Sequence, residues 1–338
     1  LCLAFSWVQG QEIEWDKSFG VEGILRLAPR ESGNAFYETT ESVIGLANGN
    51  MLVAVRTNGT YLQRLKSDGS VDNSFDTKGK SKSYSIHDSK LIKAPDGSLI
   101  LAGFTYTTPK QLRLYRLQLD GTPDLSFGNN GEVAVNFMGG TAVSMNAAYQ
   151  KDGKLVMLIG PLYYHAYDKT NLLRFDGAGK LDTTFSNDGI FEVPMDNDAR
   201  PFGMALSESG ISVGIIENNA LSVAGFTSEG KQDMKFGEAG WRKNIMPFVY
   251  NGAFIAQKPD GNIIIGTATS TNFDFKLCQL LPNGKTDASY SKNGFNTVRM
   301  PSRSNVVESI LIDNAGGTFI TTHYYDNSYG FAIYKLKK

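Results

Sequence analysis

The feature that most limits what this chain can fold into is a short motif that returns at a nearly fixed interval. An aspartate followed three residues later by an aromatic occurs at Asp16, Asp72, Asp124, Asp182, Asp233 and Asp287, with Phe19, Phe75, Phe127, Phe185, Phe236 and Tyr290 as the aromatics. Successive aspartates are 56, 52, 58, 51 and 54 residues apart. Seven residues after each aspartate stands a glycine, at Gly23, Gly79, Gly131, Gly189, Gly240 and Gly294. Three residues before it stand Gly69, Gly121, Gly179, Gly230 and Gly284, with Ile13 in that place in the first copy. Such regularity marks an internal repeat, and a repeated chain is a stack or ring of one small unit.

The remainder of each repeat reads as strands. A second turn signal lies about halfway along, as in "PDGS" at 95, "KDGK" at 151 and "PDGN" at 259. Aliphatic or β-branched runs follow it, such as "LILAG", "LVMLIG" and "IIIG". A further run precedes each motif ("LYRL", "LLRF", "KLCQL"), and another follows the late glycine ("GILRL", "GEVAV"). Runs of this kind, bounded by Gly, Asn and Asp, are strands, and no helical period interrupts them. Abundant Gly (36 residues) and Phe plus Tyr (20 and 15) suit short strands joined by tight turns. Four strands per repeat of this length describe a propeller blade. The expected fold is all-β: a six-bladed β-propeller, four antiparallel strands per blade, in one domain over residues 11–338. A linear β-solenoid is the alternative topology. The last run, "AIYKLKK", stops where another Gly-x-x-Asp would be needed, and the segment around Asp16 supplies it. The ring is therefore expected to close between residues 12–24 and 331–336.

The run "DGTPDLSFGNNGEV", with "DGSVDNSF", "LDTTFSNDGIFEV" and "NGKTDASYSKNGF", resembles the delta-60-type repeat of β-propeller proteins. The likeness covers residues from about 12 to the end. It implies a propeller and carries no particular reaction. Asp76, Ser186 and Ser291 depart from the repeat's glycine after the aromatic, and Tyr290 departs from its phenylalanine.

Two readings of the motif compete. Calcium needs six to eight oxygen ligands, yet only one carboxylate per copy is fixed. The structural reading accounts for each fixed position. Glycine permits positive φ in a turn, aspartate accepts from nearby backbone N–H groups, and the aromatic plugs the seam between blades. No metal and no cofactor are expected. One column adds detail: Arg64, Arg116 and Arg174 stand five residues before the repeat glycine, then Gly225, Gln279 and Lys335. A recurring cation among apolar neighbours is expected to pair with the motif aspartate, or else to point to solvent.

Net charge is −1, so no global field draws nucleic acid. No apolar run is long enough to cross a bilayer as a helix. Residues 1–10, "LCLAFSWVQG", read as the tail of a secretory signal peptide cut before Gln11, against a buried first strand. A secreted, periplasmic or cell-surface location follows from that reading. Cys278 would then be the sole cysteine of the mature chain, expected as a buried thiol.

Antiparallel strands put the motif loops and the mid-repeat turns on one face of the disc. The other face carries loops that do not repeat, where function usually sits. The ligand-binding candidates there are Tyr106, Tyr163, Tyr164, His165, Tyr167, Phe273, His323, Tyr324 and Tyr325. Clustered aromatics of this kind serve contact with glycans or proteins. Three histidines, His87, His165 and His323, each precede an aspartate (Asp88, Asp168, Asp326) and are expected at the surface rather than in a metal site. Nucleophile elbows, phosphate loops and dinucleotide fingerprints are absent from the sequence. The expected function is binding of a protein or carbohydrate on the variable face. The alternative is a propeller hydrolase or lyase acting on an extracytoplasmic carbohydrate-like substrate.

Overall fold

The computed structural model describes residues 39–46, 49–76, 79–107, 110–136, 143–161, 169–196, 198–208, 210–248, 252–268, 274–298, 305–312, 318–325 and 329–335, the last three by backbone only. Every regular element among them is a strand. The first sheet holds β1 (Thr39–Gly45), β2 (Met51–Arg56) and β3 (Thr60–Leu65). The second holds β4 (His87–Lys93), β5 (Leu99–Phe104), β6 (Gln111–Leu117) and β7 (Glu132–Asn136). The third holds β8 (Val143–Tyr149), β9 (Leu155–Pro161), β10 (Asn171–Phe175) and β11 (Ile190–Glu192). The fourth holds β12 (Arg200–Ser207), β13 (Gly210–Glu217), β14 (Ala220–Phe226) and β15 (Trp241–Pro247). The fifth holds β16 (Ala253–Gln257), β17 (Ile263–Ala268), β18 (Phe275–Leu280) and β19 (Phe295–Val298). The last holds β20 (Asn305–Ile312), β21 (Thr318–Tyr325) and β22 (Tyr329–Lys335).

Each sheet is an antiparallel meander in chain order. The first sheet has an irregular fourth edge, where residues 79–84 bridge to β3 through Thr60–Tyr84 and Gln63–Lys80. There the Ser81 hydroxyl accepts from the Leu62 amide at 2.9 Å, standing in for a ladder carbonyl. First strands abut in succession, β1 on β4, then β8, β12, β16 and β20. They are the innermost strands, and the fourth strands form the half-exposed outer rim. Second strands are buried along their length, as in β5, β9, β13 and β17, because sheets cover both of their faces.

The core lies between sheets rather than within one. Ile100, Phe104 and Phe127 of the second sheet pack with Met145, Met157 and Phe175 of the third. Val156 and Phe185 pack likewise with Val213 and Phe226, and Leu221 and Phe236 with Ile263 and Leu280.

The motif builds these seams. In five copies the aspartate accepts from the amide two residues on, at 3.0–3.1 Å, which pins the turn. The ring three residues on then reaches into the next repeat. A Cβ placed on Gly121 would lie 2.6 Å from the Phe75 ring, and one on Gly179 2.7 Å from Phe127. Gly230 stands in the same way to Phe185, and Gly284 to Phe236. So the glycine before each motif aspartate serves two ends: Gly121 has φ +92 and also leaves room for its neighbour's ring.

The recurring arginine closes the joint. Arg64 pairs with Asp72 at 2.8 Å, Arg116 with Asp124 at 3.1 Å and Arg174 with Asp182 at 2.9 Å. Each guanidinium lies over its own motif ring, 5.0, 5.8 and 4.9 Å from the centroid of Phe75, Phe127 and Phe185. Each also donates to a carbonyl of the next motif, that of Leu119, Gly177 or Ser228. In the fifth sheet the Gln279 amide takes over, donating to Asp287 at 2.6 Å. The hydrogen bond from Ser126, then the Arg116 charge, holds the Asp124 carboxyl below its usual value. Asp16, Phe19 and residues 1–38 lie outside the described residues.

Candidate functional site

Five strand ends at the seam between the first two sheets meet on the face of the non-repeating loops. They bring together Glu41, Arg56, Thr60, His87, Asp88, Ser89 and Tyr106. Two β-bulges make this possible. The β1–β2 register slips between Thr40 and Ser42, and the β4–β5 register slips between His87 and Lys90. Bulges re-aim side chains that a regular pleat would turn away. Asp88 sits in the second bulge with φ +51, a left-handed conformation that a non-glycine residue adopts only when its surroundings hold it there.

Glu41 supplies that hold. Its side chain is 8% exposed. Its carboxylate accepts from the Asp88 amide at 2.7 Å, the Ser89 amide at 3.0 Å, the Ser89 hydroxyl at 2.5 Å and the Thr60 hydroxyl at 3.0 Å. One carboxylate of the first sheet thus caps the backbone kink of the second. Arg56 approaches the same group at 3.8 Å and donates to Asp88 at 3.2 Å.

His87 is the centre of the arrangement. Its Nδ1 lies 2.6 Å from the Asp88 carboxylate. The hydrogen bond from His87 holds the Asp88 carboxyl below its ordinary value; burial opposes it, and the charges of Arg56 and Lys110 add to it. An ionised Asp88 can only accept, so the short contact has Nδ1–H of His87 as its donor. Tyr106 covers the ring at 4.2 Å between centroids, tilted by 32°. Tyr106 itself is 55% exposed, while His87 is 6% exposed. An open aromatic therefore rests on a buried histidine held by a carboxylate.

Several expectations are corrected here. His87 is buried rather than at the surface, because the bulge carries it inward beneath Tyr106. His323, Tyr324 and Tyr325 belong to β21 rather than a loop: the β-branched and aromatic run from Thr318 continues the ladder, and Tyr325 pairs with Tyr329. The loop between β21 and β22 shrinks to residues 326–328. Tyr163, Tyr164, His165, Tyr167 and Phe273 lie outside the described residues, as do Asp168 and Asp326. Glu41 and Arg56 were not singled out from the sequence. One signal pointed to Glu41: the pair Glu-Ser recurs as Glu308-Ser309, where the β20–β21 register slips between Val307 and Ser309.

No three His, Cys, Asp or Glu side chains converge as a metal site among the described residues. The Asp88 carboxyl is shifted down, the opposite of what a general acid requires. Cys278 is buried and burial pushes its thiol up to about 12, so it is no nucleophile.

A family model described as a domain of unknown function (DUF5122) beta-propeller matches residues 46–75, 94–127 and 258–290. Each match spans a motif aspartate and its aromatic. The fold is a β-propeller. Solved structures agree at the level of fold. A catalytically inactive virginiamycin B lyase from Staphylococcus aureus with quinupristin superposes with TM-score 0.52 and 11% identity, covering 88% of this chain and 84% of that one. An α-L-arabinanase from Penicillium chrysogenum complexed with arabinobiose gives 0.53 and 11%, covering 89% and 92%. A protein of unknown function from Dyadobacter fermentans gives 0.53 and 12%, covering 88% and 93%. No curated protein matches the chain. No helix among the described residues is long and apolar enough to cross a membrane.

Proposed function

We propose that this chain is an exported six-bladed propeller of the delta-60 repeat type that works as a binding module. Its ligand, a glycan or a protein, docks on the face of the non-repeating loops, over Tyr106. Residues 12–24 complete the last sheet beside β22 and close the ring. The observation that carries the binding reading is the seam around His87. Its charges satisfy one another, Glu41 with four donors and Asp88 with His87 and Arg56, and the Tyr106 ring stands open beside the part-exposed Arg56–Asp88 pair. Aromatic anchors in such settings dominate binding energy.

The test is a glycan array and an extracellular-protein pull-down with the full chain, followed by Tyr106→Ala on whatever binds. Tyr106 is exposed, so the variant should melt as the parent does. Loss of an aromatic anchor is expected to cost about 2 kcal/mol, roughly thirtyfold in affinity. Unchanged affinity in a folded variant would remove Tyr106 from the interface.

One observation favours a second reading, a hydrolase or lyase on a carbohydrate-like substrate. Nδ1 of His87 lies 2.6 Å from Asp88, and a neutral ring donating there would leave Nε2 to act as a base. Turnover of a bound glycan that disappears in His87→Gln while binding persists would replace the first reading by this one.

A further inference from the structure

The column of arginines has a gap, and the gap leaves a cavity. In the fourth sheet the arginine position is Gly225, eight residues before Asp233 as Arg64, Arg116 and Arg174 are before their own aspartates. A water-sized cavity of about 10 Å³ lies there, lined by Gly225, Asp233, Phe236, Ser212, Gln257 and Pro282, among others. Three of these repeat what a guanidinium meets elsewhere in the molecule. Asp233 matches the paired carboxylates, Phe236 matches the rings beneath the guanidinium groups, and Pro282 holds the place of Leu119, Gly177 and Ser228, whose carbonyls accept from the arginines.

Among the described residues no side-chain donor replaces the missing one. Asp233 takes the Lys235 amide at 3.0 Å, and among the described residues no cationic side chain pairs with it. The fifth sheet shows the contrast, since Gln279 fills the same column and serves Asp287. The Phe236 ring leans into the space beside Gly225, where a Cβ would overlap it, so the gap cannot be filled from that position of the chain. Asp233 is half-buried and Pro282 exposed, which leaves the cavity reachable from the motif face.

We propose that this vacancy binds a hydrogen-bond-donating organic cation, an alkylguanidinium such as a partner's arginine side chain. The cation inserts one nitrogen between Asp233 and Pro282 and lies against the Phe236 face. The site is on the opposite side of the disc from Tyr106 and stands or falls independently of it. Planar donors are favoured because the three filled positions all use the planar fork.

The probe is methylguanidinium chloride, added to the full chain at fixed ionic strength and read by thermal melting and by saturation-transfer NMR. A saturable rise in Tm is expected, with tetramethylammonium, which has no N–H, giving none. Asp233→Asn should weaken binding at least tenfold. Arg116→Gly should open a matching vacancy at Asp124 and add a second binding event; if that variant fails to fold, the wild-type NMR contact between the probe methyl and the Phe236 ring decides. Absence of a saturable response, an equal response to tetramethylammonium, or an undiminished response in Asp233→Asn would each overturn the proposal.

Discussion

The motif aspartates look interchangeable in the sequence, yet their surroundings give them different weights. Asp182 meets two cations, Arg174 and Lys154, each at 2.9 Å, and Arg174 is buried at 3% exposure. Removing one partner of a buried pair leaves the other charge uncompensated, and that penalty exceeds the value of the bond itself. Asp233 holds its turn but no cation. Asp182→Ala is therefore expected to cost about 2–3 kcal/mol and Asp233→Ala about 1 kcal/mol in denaturant unfolding. Equal costs would mean that the arginine column contributes nothing beyond the turn. Glu41 shows a different single-residue economy. One buried carboxylate satisfies two amides and two hydroxyls across a seam, and so keeps Asp88 in a backbone conformation it would otherwise leave.

The working unit at the next scale is the loop of one repeat together with the ring of the repeat before it. Gly121 and Gly97 separate the two demands on glycine. Both have positive φ, +92 and +89, but a Cβ on Gly97 meets nothing within 4 Å, whereas one on Gly121 meets Phe75. Gly97→Ala should cost about 1 kcal/mol from backbone strain alone. Gly121→Ala should cost about 3 kcal/mol, because displacing a packed ring adds an overpacking penalty. Matching melting curves for the two variants would show that the ring yields freely. Much of this unit was readable beforehand: the turn glycines, the pinning aspartate, the seam aromatic and the arginine pairing all follow from what recurs. The candidate site was not, for a physical reason. Apart from the Glu-Ser pair, it is assembled from parts that do not recur, at bulges that shift register without any glycine or proline to mark them. His87 next to Asp88 could be seen as a pair. That the pair faces inward depends on Glu41 reaching across from the neighbouring sheet, which no local pattern announces.

On the scale of the whole molecule, six sheets follow one another among the described residues, and the first five are linked by four joints of one kind. Among the described residues the last sheet has three strands, β20, β21 and β22, and the closure proposed above would make residues 12–24 its fourth. Deleting residues 11–28 should then expose the edge of β22 and part the first sheet from the last. The truncated chain is expected to aggregate or to melt well below the parent, as size-exclusion chromatography and calorimetry would record. A monomeric truncation of unaltered Tm would refute closure. The joint itself has a direction, since the second, third and fourth sheets each offer a ring forward and a glycine recess backward. Head-to-tail contacts do not set their own number; the rotation per step decides whether a series meets itself or winds on as a spiral. A descendant that gained or lost one repeat would keep every joint chemically intact, so copy number can drift by duplication without redesign of the interface. An array caught before it meets itself carries one spare ring and one spare recess. Those are the two halves of a link by which separate molecules would thread into a fibre.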